Sequence, residues 1–167
     1  MSPILTDNAL DFVSHSTEQT RRVGERLGRL LQPGHIVCLQ GDLGAGKTCL
    51  AQGIGRGLGI ESAITSPTFI LVNEYQAPGA THKLYHVDLY RVETVTEAHG
   101  IGLEDIFYGD DICVIEWAER VSEMLPADRL WITLRYVDDT KRALQFEAHG
   151  ARCASLLERL RREAFGI

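Results

Sequence analysis

The segment Gly41-Asp42-Leu43-Gly44-Ala45-Gly46-Lys47-Thr48 constrains this chain more than any other. It satisfies the pattern G-x-x-x-x-G-K-[ST] at every fixed position. Glycines let a backbone wrap tightly without Cβ clashes. Successive N–H groups then converge on one concavity that suits an anion. A helix opening near Lys47 adds the positive end of its dipole at the same point. In such a loop a lysine reaches the β- and γ-phosphates of a nucleotide, and the hydroxyl of Thr48 meets Mg²⁺.

The flanking sequence supplies the context this loop needs. His35 to Gln40 reads as a short buried strand entering the loop. Lys47 to Leu58 reads as the helix leaving it, with Leu50, Ile54 and Leu58 on one face and Gly59 as the C-terminal cap. Upstream, Val23, Leu27, Leu30 and Leu31 recur at helical spacing and predict a helix from Thr17 to Leu31, capped by Ser16 and stopped by Gln32-Pro33-Gly34. Downstream, Phe69 to Tyr75 and Leu84 to Asp88 predict an antiparallel hairpin around Gln76–Ala80. Leu103 to Phe107 predicts a short helix and Ile112 to Ile115 a second buried strand. A second hairpin is expected from Leu130 to Tyr136 and Ala143 to Ala148, and a closing helix from Ala151 to Phe165. These elements predict an α/β chain, a P-loop NTPase-like three-layer fold with a central mixed β-sheet flanked by helices. Residues 1–167 form a single domain in this reading.

Charge narrows the function classes. The net charge of −6 opposes a protein that grips nucleic acid by itself. Arg152, Arg159, Arg161 and Arg162 cluster near the end of the chain; they read first as a solvated helix face, and second as a docking or RNA-facing surface. No run approaches the length of a membrane span, and the first residues lack a secretory pattern, so a cytoplasmic location is expected. Cys38, Cys49, Cys113 and Cys153 are widely spaced without a CxxC pair, which predicts free thiols.

A P-loop hydrolase needs an acid across from the phosphate cradle. Glu116 follows four apolar residues and qualifies as a Mg²⁺ ligand or as the group that polarises water. Asp88 is the second candidate. On a strand it shares a face with His86, but one His-x-Asp pair lacks the further ligands zinc requires. Capping the turn before Tyr90 is its structural alternative. Trp117 reads first as a core residue and second as one that packs beside the site. Ser66-Pro67-Thr68-Phe69 carries two hydroxyls that suit a γ-phosphate-sensing switch, or forms an ordinary loop. Only Asn8 and Asn73 occur, and neither precedes a lysine. The Asn-Lys-x-Asp segment that reads guanine is therefore missing, which makes ATP the expected nucleotide.

Taken together, the loop at 41–48, Ser66-Pro67-Thr68-Phe69, His86-Val87-Asp88-Leu89-Tyr90-Arg91 and Ile115-Glu116-Trp117 resemble the TsaE (YjeE) family. These are bacterial P-loop ATPases of tRNA threonylcarbamoyladenosine (t6A) biosynthesis. The likeness runs from about Thr17 into the 140s. It implies ATP and Mg²⁺ as cofactors and Lys47, Asp88 and Glu116 as catalytic groups. Leu43, Gly44, Ala45, Gly46, Lys47 and Thr48 would contact phosphates, with Asp42 and Cys49 beside them, and Thr48 and Glu116 would hold the metal. Thr17 and a basic residue of the late hairpin, Lys141 or Arg142, would lie on the adenine side. Cys49 departs from the threonine common there. The implied partners are TsaD and TsaB, with tRNA reached only through their complex. Turnover is expected to be weak alone and raised by the partners. A small-molecule kinase is the main alternative, although no arginine-bearing lid is visible between Glu116 and Leu130. A non-hydrolysing nucleotide sensor is the other.

Overall fold

The computed structural model describes residues 4–6, 8–65 and 71–167. The expected switch, Ser66-Pro67-Thr68-Phe69, lies outside the described residues, as does the start of the first expected hairpin strand. The elements in chain order are β1 (Ile4–Thr6), β2 (Ala9–Ser14), α1 (Thr17–Leu30), β3 (Ile36–Gln40), α2 (Lys47–Gly57), β4 (Val72–Tyr75), β5 (Leu84–Asp88), α3 (Val95–Gly100), α4 (Leu103–Phe107), β6 (Ile112–Glu116), β7 (Arg129–Tyr136), β8 (Arg142–His149) and α5 (Ala151–Leu160). A 3₁₀ segment, Ala118–Met124, follows β6, and one wider turn, Arg161–Phe165, extends α5.

Eight strands form one sheet in the order β1-β2-β8-β7-β3-β6-β5-β4. Strand β3 is parallel to both β7 and β6, and β5 is parallel to β6. Antiparallel strands flank this parallel centre: β4 on β5, β8 on β7, and β2 on β8. The sheet is therefore mixed, as expected, and both anticipated hairpins are present. Because β3 and β6 are buried on both faces, they read as continuous apolar runs.

The two sheet faces carry separate apolar cores. Val37, Leu39, Val114, Ile132 and Phe146 pack with Leu27, Leu50, Ile54 and Leu157 of α1, α2 and α5. Ile36, Cys38, Cys113 and Ile115 pack on the other side with Leu103, Phe107 and Val121. The three layers follow from that division. Cys38, Cys113 and Cys153 are buried free thiols, and Cys49 is a half-buried one.

Local chemistry sets the helix ends. The Ser16 side chain accepts from Gln19 N at 3.0 Å, which starts α1 at the expected residue. Gly59 adopts φ +79° and its N–H returns to Arg56 O, which closes α2. Two outer strands, β1 and β2, and the helix α3 extend the expected set. The arginine cluster is partly structural: Arg161 donates to Ala9 O at 2.6 Å, and Arg152 to Pro33 O at 2.9 Å. Arg162 pairs with Glu158 on the exposed face. Among the described residues, no helix is long and apolar enough to cross a membrane.

Candidate nucleotide site

Strand β3 delivers the chain to Gly41, and α2 begins at Lys47. Between them the backbone turns sharply. Gly44 and Gly46 have φ +79° and +104°, in the region that side chains with a Cβ rarely adopt. A Cβ at Gly44 would stand in open space, so backbone conformation and not crowding demands glycine there. Leu43, at the tip, is 70 % exposed.

Lys47 is 5 % exposed. Its Nζ donates to Gly41 O and, at 2.8 Å, to Asp42 O. The ammonium also lies 4.2 Å from the centroid of the Trp117 ring. Burial lowers its pKa, opposed by the charges of Glu116, Glu119, Asp88 and Asp42. The lysine is thus held at the loop by carbonyls and aromatic surface, with acids around it.

Thr48 and Glu116 meet directly. Thr48 Oγ1 donates to Glu116 Oε1 at 3.0 Å, and Oε2 lies at 3.3 Å. Glu116 is the last residue of β6 and is 2 % exposed. Its Oε2 stands 2.5 Å from Nε2 of the fully buried His86. Asp88 ends β5 and pairs in register with Glu116. Parallel pairing thus puts both acids at the same end and on the same face of the sheet. Asp88 Oδ1 accepts from Tyr90 N at 3.0 Å, so the turn-capping role is real. Burial raises the Asp88 pKa, the Tyr90 hydrogen bond lowers it, and Glu116 raises it again.

Hydroxyl and carboxylate oxygens converge beside the glycine-rich loop, a donor set that suits a hard cation such as Mg²⁺. Among the described residues, no three His, Cys, Asp or Glu side chains gather as a zinc site would require.

Of the two readings of Trp117, the structure favours the position beside the site. The residue packs only partly against the core and lies beside the loop. It has φ 61°, an unusual conformation for a bulky residue. That turn brings its ring onto Lys47 and 5.1 Å from the ring of Tyr90, with Arg120 at 5.3 Å. Any phosphate that draws Lys47 off the loop carbonyls therefore changes the surroundings of the indole. Adding ADP or ATP is expected to change the intrinsic fluorescence of the protein. The Trp117→Phe variant should lose most of that signal while retaining binding of a fluorescent nucleotide. An undiminished signal in the variant would assign it to Trp131 instead.

On the other flank, Cys49 Sγ approaches Thr17 O at 3.3 Å, joining the first turns of α1 and α2. Arg142 Nε donates to Gly44 O at 3.2 Å, and its guanidinium lies over the Tyr136 ring. Lys141 turns instead toward Asp138. Of the two basic residues considered, Arg142 is the one that reaches the loop.

Glu119 was missing from the sequence reading. It is half-buried, burial raises its pKa, and Lys47 and Asp42 act on it. Its Oε2 is buried without a partner among the described residues. The only sequence signal was its position three residues after Glu116.

Comparison with known proteins follows the same lines as this geometry. The sequence profile described as "Threonylcarbamoyl adenosine biosynthesis protein TsaE" matches residues 14–144. The chain is similar to the "tRNA threonylcarbamoyladenosine biosynthesis protein TsaE" of Bacillus subtilis, with 39 % identity over 145 residues, covering 87 % of this chain and 89 % of that protein. It is also similar to the protein of that name from Treponema pallidum, with 45 % identity over 132 residues, covering 79 % and 96 % of the two chains. Its fold resembles the crystal structure of YdiB from Bacillus subtilis, with TM-score 0.78 and 34 % identity over 93 % of this chain and 96 % of that one. Motif, sheet topology and sequence agree, and the chain belongs to the TsaE family.

Proposed function

We propose that this protein is a Mg²⁺-dependent ATPase that supports t6A modification of tRNA by acting on a TsaB–TsaD complex in the cytoplasm. The observation that carries the ATPase reading is the contact of Thr48 with the buried carboxylate of Glu116, beside Lys47 at the mouth of a P-loop. Mg²⁺ bound by Thr48 and Glu116 would neutralise phosphate charge and orient the triphosphate.

The protein groups divide the remaining work. The loop N–H groups and Lys47 donate to phosphate oxygens and stabilise charge that builds up as the terminal phosphoryl group leaves ADP. Water attacks the γ-phosphorus in line. Both carboxylate oxygens of Glu116 are already engaged, by Thr48 and His86. Asp88 commits Oδ1 to Tyr90 N and stands at the adjacent strand end. Its Oδ2 is the better placed oxygen to orient the water and accept its proton, and the raised pKa suits that task. Thr17, Cys49 and Arg142 flank the loop where the nucleoside would extend.

The kinase alternative needed a lid between Glu116 and Leu130. That stretch instead buries Val121, Met124 and Leu125 in the core. The overall acidity agrees with an ATPase that leaves RNA contact to its partners.

The test is phosphate release from ATP and Mg²⁺ by the protein alone, with purified TsaB and TsaD, and with Glu116→Ala. The expected result is slow release alone, stimulation by the complex, and loss of the stimulated rate in the variant. Equal rates with and without partners would refute the coupling. No release under any condition would favour a nucleotide sensor.

A further inference from the structure

His86 is the one fully buried imidazole of the described chain whose ring makes no backbone contact. By comparison, His35 Nδ1 accepts from Gln32 N at 2.8 Å. Among the described residues, the His86 ring instead makes a single hydrogen bond, from Nε2 to Glu116 Oε2 at 2.5 Å. Its Nδ1 is buried with no partner among the described residues. Burying a ring nitrogen without a hydrogen bond costs free energy that an apolar side chain at the same place would not. The fold therefore tolerates a half-satisfied imidazole at a position flanked on its face of the sheet by Leu84 and, across the ladder, by Val114.

We infer that His86 is a positioning residue that fixes the Glu116 carboxylate for the metal–phosphate site, an inference that rests on the proposed nucleotide function. The geometry gives it a definite action. Glu116 has several rotatable bonds, and Thr48 alone would hold it from one side. With His86 on Oε2 and Thr48 on Oε1, the carboxylate plane is clamped between β5 and α2. The Thr48 hydroxyl donates its hydrogen to Glu116 at 3.0 Å. His86 itself is enclosed and contributes no ligand. Residues behind a metal ligand typically act this way, by orienting it.

A packing role and a positioning role differ in what they disturb. The His86→Leu variant keeps bulk and loses the donor. His86→Gln can place an amide N–H near the former Nε2. His86→Asn carries its amide on a shorter side chain and cannot reach Glu116 in the same way. Binding of a fluorescent N-methylanthraniloyl-ADP is measured in EDTA and across a Mg²⁺ titration, with thermal unfolding recorded for each protein.

The expected result is a Mg²⁺ midpoint raised by about tenfold in His86→Leu and His86→Asn, as for other residues behind a metal ligand. Metal-free binding should be unchanged, and His86→Gln should return most of the way to wild type. If His86→Leu does not fold, the Asn and Gln pair carries the same comparison. An unchanged Mg²⁺ midpoint in the Leu and Asn variants overturns the inference. So does an equal loss of metal-free and Mg²⁺-dependent binding, or a Gln variant no better than Asn. If wild-type protein binds the nucleotide but Mg²⁺ has no effect, the positioning inference fails while nucleotide binding stands. If it binds no nucleotide at all, the functional reading fails as well.

Discussion

Lys47→Ala is expected to lower phosphate release by at least about a hundredfold, the usual cost of removing a positioned donor from a developing negative charge. The measurement is release from Mg²⁺–ATP under the conditions that give wild-type protein its highest rate. The lysine sits at the first position of α2 and is 5 % exposed, so its charge acts where water screens poorly. Among the described residues, no second cation hydrogen-bonds to the Gly41 and Asp42 carbonyls that hold the lysine. Lys47→Arg should fail almost as badly. Its planar fork is wider than an ammonium, and the site is closed by the Trp117 ring.

The same substitution separates chemistry from stability. Removing the ammonium leaves two loop carbonyls without this donor, which costs about 1 kcal/mol each where water cannot replace it. It also relieves the burial of a charge, and Asp42 is exposed enough for water to serve its carbonyl. These effects oppose one another, so the melting temperature should move by only a few degrees. A variant that unfolds far below wild type would make the kinetic loss uninformative about Lys47. A folded variant that hydrolyses ATP within about threefold of wild type would remove Lys47 from the mechanism.

The parts of this site that were legible in the sequence are those whose chemistry is local. The glycine-rich loop at 41–48 is contiguous, its glycines answer to backbone angles at their own positions, and its strand and helix adjoin it. Glu116 was also legible, because a buried parallel strand reads as an apolar run and the acid ends it. What joins Glu116 to His86 and Thr48 was not legible, since the contacts span 30 and 68 residues. They exist only because β5 pairs with β6 while α2 crosses the same face. The register that sets Asp88 beside Glu116 is likewise a property of strand pairing.

Other differences have equally physical causes. Strand β2 alternates buried and half-buried residues, but its partner β8 lies at the far end of the sequence. Helix α3 buries only Ala98, too little for a periodic pattern. Its signal was instead the Thr94-x-x-Glu97 start, where Glu97 N donates to Thr94 Oγ1 at 3.2 Å. Trp117 read first as core because an aromatic residue after a buried strand normally continues the core. Here the chain turns through a left-handed conformation at that residue and swings the ring toward the loop.

The largest stability loss is expected away from the site, where α1 crosses α2. A Cβ at Gly53 would stand 2.2 Å from Arg21 O, and one at Gly28 would stand 2.3 Å from Ile54 O. Each helix thus lies against the other's backbone, with Val23, Leu27, Leu50 and Ile54 buried around the crossing. Two effects compete in Gly53→Ala. Helix propensity favours alanine by about 1 kcal/mol. Against it, both clashing groups are backbone, so no side chain can swing aside and the helices must separate. Overpacking of this kind costs about 1–3 kcal/mol, and more where relief requires moving a whole element. Sterics should win: Gly53→Ala is expected to lose about 2 kcal/mol and Gly53→Val about 4 kcal/mol in urea unfolding. Gly100→Ala is the control, because a Cβ there meets nothing within 4 Å. It should be neutral or slightly stabilising. If Gly53→Ala matched it, the helices would not be in the contact described. The same displacement bears on function, because α2 carries Lys47 and Thr48 at its first turn while Glu116 stays on β6. A helix pushed outward by about 1 Å would open the 3.0 Å contact between Thr48 and Glu116, and misplacement on that scale costs about a hundredfold in rate. The folded fraction of Gly53→Ala should therefore lose phosphate release as well as stability, whereas Gly100→Ala keeps both.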